Sequence, residues 1–261
     1  MLYRAPSVRK LFIIGIGAGN RDHLTIQAIN ALNAVDVFFA IDKGSEKAEL
    51  NRVRQEICET YIKDKSYRTV AAPDPERDRT PLSYQSAVKD WHERRADVFE
   101  KLIAQELKDG ECGAFLVWGD PSLYDSTLRI VQQILARGVV EFTYEVIPGI
   151  SSVQALAAAH KISLNQIGAP VHITTGRNVA DGFPDDFDNL VVMLDANCAF
   201  KAVKQTGIDI YWGAYIGTTD EILVAGDLRE VAGDIERIRS AARARKGWIL
   251  DTYLLRKSDR H

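Results

Sequence analysis

Two short runs hold the residues best placed to do chemistry. Gly119-Asp120-Pro121-Ser122-Leu123-Tyr124 sets a carboxylate, a hydroxyl and a phenol just behind a glycine, and Pro148-Gly149-Ile150-Ser151-Ser152 sets two hydroxyls behind another. A third turn, Gly15-Ile16-Gly17-Ala18-Gly19-Asn20, is richer still in glycine. Glycine lets a backbone approach a ligand closely, so such turns bind through N–H, C=O and short polar side chains. The other chemistries lack their residues. The first turn has Asn20 where the dinucleotide fingerprint needs its last glycine, and no Gly-Lys-Ser/Thr follows it as in a P-loop. There is no Gly-x-Ser-x-Gly, and the five histidines show no metal-ligand spacing, so no metal is expected.

Each run needs a corner to present it. Phe115-Leu116-Val117-Trp118 is a short run of strand formers, stopped by Gly119-Asp120-Pro121. Leu128, Ile130, Val131, Ile134 and Leu135 then share one helix face, with Ser122 or Asp125 as cap. Phe142–Ile147 is a second strand, and Ser151-Ser152 open a helix over Val153–Ala159. Ligands of open α/β sheets sit at the carboxyl ends of strands, so the two corners border one crevice.

Upstream, Leu11–Ile14 reads as a strand, Asp22 as the cap of a helix that buries Leu24, Ala28, Ala31, Leu32 and Val35, and Val37–Ile41 as a strand ending at Asp42. That is a βαβ unit with a parallel pair. Glu46–Ile62 reads as a helix and Tyr67–Ala71 as a strand. Pro73–Tyr84 carries three prolines and five charges, so it is a loop, and loops of this length are often functional. The helix after it buries Val88, Trp91, Val98, Phe99, Leu102 and Ile103 and turns Lys89, His92, Arg94 and Arg95 outward.

In the second half, strands are expected at Pro170–Thr174, Leu190–Leu194, Ile208–Ile216, Glu221–Ala225 and Trp248–Leu255, and helices at Asn197–Gln205 and Ile235–Ala244. Gly217-Thr218-Thr219-Asp220 has the composition of a hairpin turn. The expected class is α/β in two domains: a parallel-sheet domain over residues 1–147 and a mixed-sheet domain over 148–261.

The chain has 261 residues and a net charge of −3, which argues against a general nucleic-acid or membrane-surface binder. Cys58, Cys112 and Cys198 are odd in number and far apart, as expected of free thiols in a reducing cytoplasm. The nine-residue apolar run Leu11–Gly19 suits a first strand better than a secretion signal.

Taken in order, Gly15-x-Gly17-x-Gly19 with Leu24-Thr25, Ala34-Val35-Asp36-Val37, Trp118-Gly119-Asp120-Pro121-Ser122-Leu123-Tyr124 and Val146-Ile147-Pro148-Gly149-Ile150-Ser151-Ser152 resemble the tetrapyrrole (uroporphyrinogen/precorrin) methylase family over nearly the whole chain. Asp42-Lys43-Gly44, Asp74-Pro75-Glu76-Arg77-Asp78-Arg79, Trp91-His92 and Thr174-Thr175-Gly176-Arg177 resemble the branch that methylates a precorrin at C-1 and releases acetate.

The resemblance implies a homodimer that holds S-adenosylmethionine in a cleft between two α/β domains and yields S-adenosylhomocysteine. The cofactor contacts it implies are Ala18, Trp118, Gly119, Asp120, Leu123, Ser151, Ser152, Leu194 and Gly217. Relatives often have proline at the position of Ala18 and methionine at that of Leu194. Asp42 is the implied base for deacetylation, and Asp120 a ligand contact or loop brace counted with it at the reacting centre. Arg77, Arg79, His92 and Tyr124 are the implied contacts to the polycarboxylate tetrapyrrole, arginine being the fork that matches a carboxylate. A nicotinamide-dependent oxidoreductase, a methyltransferase of another precorrin and a non-catalytic binder are the alternatives.

Overall fold

A computed structural model describes residues 8–42, 48–76, 84–179 and 182–258. The chain forms two compact units. The first runs to Gly17 and from Arg21 to Ile150, and the second holds Ala18–Asn20 and everything from Ser151 on.

The first unit contains strands β1 (Arg9–Gly15), β2 (Val37–Asp42), β3 (Arg68–Pro73), β4 (Cys112–Val117) and β5 (Phe142–Ile147). They make one parallel sheet in the order β3-β2-β4-β1-β5. The pair expected between the first two strands is therefore not formed, because β4 lies between them. Asp36 secures that insertion: its Oδ2 accepts from the Cys112 N–H at 2.8 Å.

Helices α1 (Ile26–Leu32) and α2 (Ala48–Tyr61) cover one face, and α3 (Tyr84–Glu106) and α4 (Thr127–Arg137) the other. The two-residue period of a strand assigns the faces. Phe12, Ile14, Phe38 and Ala114 pack with Leu32 and Ile57, while Leu11, Ile13, Phe39 and Phe115 pack with Phe99 and Ile130. Both faces are buried, as parallel sheets require.

Thr25, not Asp22, caps α1, accepting from the Ala28 N–H at 3.0 Å; Asp22 lies in a single 3-10 turn at Arg21–His23. Asp125 accepts from the Thr127 N–H at 2.7 Å at the start of α4, whereas Ser122 bonds to Asp120.

The second unit contains helices α5 (Ser152–His160) and α6 (Leu228–Lys246) and strands β6 (His172–Thr175), β7 (Asn189–Met193), β8 (Ile208–Ala214), β9 (Ile222–Asp227) and β10 (Asp251–Lys257). The sheet order is β6-β7-β10-β8-β9, parallel only between β6 and β7, and β8 and β9 form the expected antiparallel hairpin. Ile210, Trp212, Tyr253 and Leu255 face α6 through Ile235 and Ala242. On the other face α5 comes so close that a Cβ on Gly213 would stand 2.9 Å from Leu156.

Three expectations for this unit change. The helix over Asn197–Gln205 shrinks to a 3-10 turn at Ala199–Ala202, and α6 begins seven residues earlier than read, at Leu228 rather than Ile235. The last strand starts at Asp251, and Thr252–Leu255 are all buried, because β10 is central and covered on both sides. Among the described residues no helix is long and apolar enough to cross a membrane.

Candidate functional site

The carboxyl edge of the parallel sheet is where the first unit concentrates its unusual geometry. β1 ends at Gly15, and the loops after β4 and β5 pass beside it through Gly119 and Gly149. A Cβ on Gly149 would lie 2.1 Å from the Gly119 carbonyl oxygen, and one on Gly15 would lie 2.6 Å from the Gly149 nitrogen. No side chain fits between these three backbones. Gly17 and Gly119 exchange backbone hydrogen bonds at 2.8 and 3.3 Å, and Gly119 adopts φ 68°, which costs glycine nothing.

Asp120 braces the corner. Its Oδ1 accepts from the Ser122 N–H at 2.8 Å and from the Ser122 hydroxyl, and its Oδ2 accepts from the Gly149 N–H at 2.9 Å. Burial acts to raise its pKa, but these donors outweigh it and hold the carboxyl below its ordinary value. An ionised, fully engaged carboxylate is a strut, not a base. Trp118 and Leu123 flank it half-buried, and Tyr124 is 45% exposed at φ 53°.

Asp42 ends β2 on the same edge, exposed, and its carbonyl accepts from the Asp74 N–H at 2.9 Å. The last β2–β4 pair is Phe39 with Phe115, so Asp42 and Trp118 each stand three residues beyond it. Strand alternation gives Asp42 the face of Phe38, which is also that of Leu116 and Trp118.

Arg77 and Arg79 lie outside the described residues, but the start of their segment is well anchored. The Trp91 indole N–H donates to the Pro75 carbonyl at 2.9 Å. Arg95, expected on the outer side of α3, is buried: its Nε lies 2.9 Å from Asp74 Oδ1, its Nη1 donates to Ser126 Oγ at 2.8 Å, and its guanidinium lies over Trp91. A helix carrying bulky apolar residues at Trp91 and Phe99 roofs Arg95, which period counting cannot foresee. His92 is half-buried with its ring tilted against Trp91, and Arg94 pairs with Asp90 on the surface.

In the second unit Thr252 is the point of reference. It pairs with Met193 on one side and Gly213 on the other, and its hydroxyl lies 3.1 Å from that of Ser152. Ser152, Leu194 and the Gly217 turn thus share one end of this sheet. Ala18 joins them through its neighbour: a Cβ on Gly19 would lie 2.6 Å from Thr218 Cγ2 and 3.0 Å from the Ile216 carbonyl. Gly217 adopts φ 80°, and its N–H donates to Glu221 Oε2 at 2.8 Å. Ser151 is buried in a capping box with Gln154, accepting from the Val153 N–H at 3.1 Å, so its hydroxyl serves the helix. Leu194 is 59% exposed at φ 54°, an apolar side chain offered to solvent on a constrained backbone.

Asp195 was missed by sequence reading. It is buried, and its two oxygens accept from the Asn197 and Ala199 N–H groups at 2.9 and 2.6 Å and from the Tyr253 hydroxyl at 2.8 Å. Only its position after a strand, two residues before Asn197, hints at an Asx turn.

The described thiols are poor nucleophiles. Burial pushes the Cys58 thiol up to about 11 and the Cys112 thiol up to about 12. Among the described residues no three His, Cys, Asp or Glu side chains group as metal ligands. His160 at the end of α5 contacts the Trp212 carbonyl at 3.0 Å, a structural role.

Two α/β units, glycine corners on one and a glycine hairpin on the other, define a class, and comparison places the chain in it. Residues 10–232 match the tetrapyrrole (corrin/porphyrin) methylases, and the chain belongs to that family. Within the family it is 53% identical, over 96% of both chains, to the deacetylating precorrin-6A synthase of a Sinorhizobium species. It also superposes on the crystal structure of a putative cobalamin synthesis related protein (CobF) from Corynebacterium diphtheriae. The TM-score there is 0.84 at 38% identity, covering 97% of this chain and 100% of the other. The uroporphyrin-III C-methyltransferase of Thermus thermophilus, solved with S-adenosylhomocysteine, shares the fold at TM-score 0.58 and 16% identity, over 95% of this chain and 97% of its own.

Proposed function

We propose that the protein is a deacetylating precorrin-6A synthase, converting precorrin-5, S-adenosylmethionine and water to precorrin-6A, S-adenosylhomocysteine and acetate. The observation that carries this reading is the 53% identity sustained over 96% of both chains. The glycine corners fit the methyl donor. Gly119 and Gly217 adopt φ of 68° and 80°, where a side chain would strain the backbone, and Trp118 in the first unit and Leu194 in the second are each apolar side chains that keep part of their surface exposed.

The sulfonium brings a methyl group on a good leaving group, so the chain's task is alignment rather than activation. The Asp120 strut holds the β4 and β5 loops in register, and Trp118, Gly119, Asp120 and Leu123 present the donor-facing surface of the first unit. Ala18, Ser151, Ser152, Leu194 and Gly217 do so in the second, Ser151 through its backbone. Asp42 takes a proton from the attacking water, and Tyr124, His92, Arg77 and Arg79 contact the tetrapyrrole and its carboxylates. The same reading carries a cytoplasmic homodimer.

The test is incubation of purified protein with precorrin-5 and S-adenosylmethionine, followed by mass spectrometry of the corrin and assay of acetate. One acetate per methyl transferred is expected. Methylation without acetate would redirect the reading to another precorrin, and a thermal shift with NAD but none with S-adenosylhomocysteine would overturn it.

A further inference from the structure

Leu194 adopts a left-handed backbone without being glycine, and the residue after it is a buried carboxylate with three hydrogen-bond donors. Asp195 receives three donors on its side chain, and its own carbonyl accepts from Arg239 Nη2 at 2.7 Å. Arg239 is itself fixed by Asp251, Nε to Oδ2 at 2.8 Å, and the same oxygen accepts from the Trp212 indole at 3.0 Å. Gly176 completes the seat, since a Cβ there would stand 2.6 Å from the Asp195 carboxylate. Every member of this cluster lies within the second unit, and Asp195, Arg239, Trp212 and Tyr253 are buried. So extensive a polar network in a core is costly unless each group is satisfied, as here. The aspartate at its centre directly follows Leu194, whose side chain is exposed.

We propose that Asp195, clamped by Arg239 and Tyr253, is a positioning residue for the methyl donor: it holds Leu194 left-handed and so keeps the cofactor contact pre-formed. The inference rests on the reading of Leu194 as a cofactor contact. Its energetic logic is that of a competent state. A non-glycine residue released from its restraints leaves the left-handed region by a factor of about five to thirty. Apparent affinity falls by the fraction of molecules that remain competent.

The experiment is calorimetric titration of S-adenosylhomocysteine into wild type, Tyr253→Phe and Asp195→Asn, each with and without Leu194→Gly. Tyr253→Phe removes one donor and keeps the ring packing, which guards against loss of folding in the aspartate variant. With Leu194 present, both variants are expected to raise Kd, Asp195→Asn by about five- to thirtyfold and Tyr253→Phe by less. With glycine at 194, for which the left-handed region costs nothing, the same changes are expected to alter Kd by less than about threefold. A purely structural network would lower melting temperature alike in both backgrounds and show no such rescue. Unchanged Kd in the folded variants, or equal losses with Leu194 and Gly at that position, overturns the inference alone. Failure of the wild type to bind S-adenosylhomocysteine would overturn the methyltransferase reading with it.

Discussion

Asp120 Oδ2 accepts from the Gly149 N–H across 2.9 Å, so one carboxylate ties the loop after β4 to the loop after β5. Asp120→Asn replaces one acceptor with a donor and turns it on either Gly149 or Ser122. Leaving such a pair unmade costs about 1–3 kcal/mol. Urea denaturation should show that loss, and S-adenosylhomocysteine affinity should fall with it. The effect is pH dependent with a defined sign. The folded pKa lies below the unfolded value of about 4, so the stabilisation is complete above that value and vanishes as pH falls through the folded one. The gap in urea midpoint between wild type and Asp120→Asn should therefore narrow on acidification below about pH 4.

Gly149→Ala should be among the most damaging small changes in the chain, because the new methyl would stand 2.1 Å from a carbonyl oxygen. The cost is expected at or above the upper end of the roughly 1–3 kcal/mol typical of overpacking. Gly233→Ala is the control. It lies in α6 with nothing within 4 Å of the added methyl, and should stabilise by about 1 kcal/mol through helix propensity. Thermal melts of the two variants beside wild type check both signs.

Arg95→Ala should destabilise by about 3–5 kcal/mol, since it strands the Asp74 carboxylate, whose side chain is only 15% exposed. Arg94→Ala, one residue away in a surface pair with Asp90, should cost less than about 1 kcal/mol. Similar losses in a denaturant titration would contradict the inward placement of Arg95.

Asp42→Asn is expected to slow acetate release by about a hundredfold or more, the usual scale of a lost general base. Binding of S-adenosylhomocysteine should be unchanged. Acetate release at the wild-type rate would leave Asp42 a strand-end residue whose carbonyl pairs with Asp74.

Much of this protein is written locally. Short continuous apolar runs such as Leu11–Ile14, helical spacing such as Ile130, Val131 and Ile134, and the glycine breakers between them place most strands and helices, because each signal is local in the chain. The glycine corners are legible for the same reason. Tertiary structure decided what depends on distant partners. Nothing near Val37 says that β4 will enter between β1 and β2, since sheet order is set by which strands bury each other's faces. Nothing near Arg95 says that it will sink under Trp91 onto Asp74, a residue at the start of the preceding loop. Asp195 reads locally as one more turn aspartate after a strand. It becomes the centre of a buried network only because Arg239 and Tyr253, 44 and 58 residues downstream, fold back onto it. Hydrogen bonds of that reach leave no periodic trace in the chain, and only the closed fold makes them.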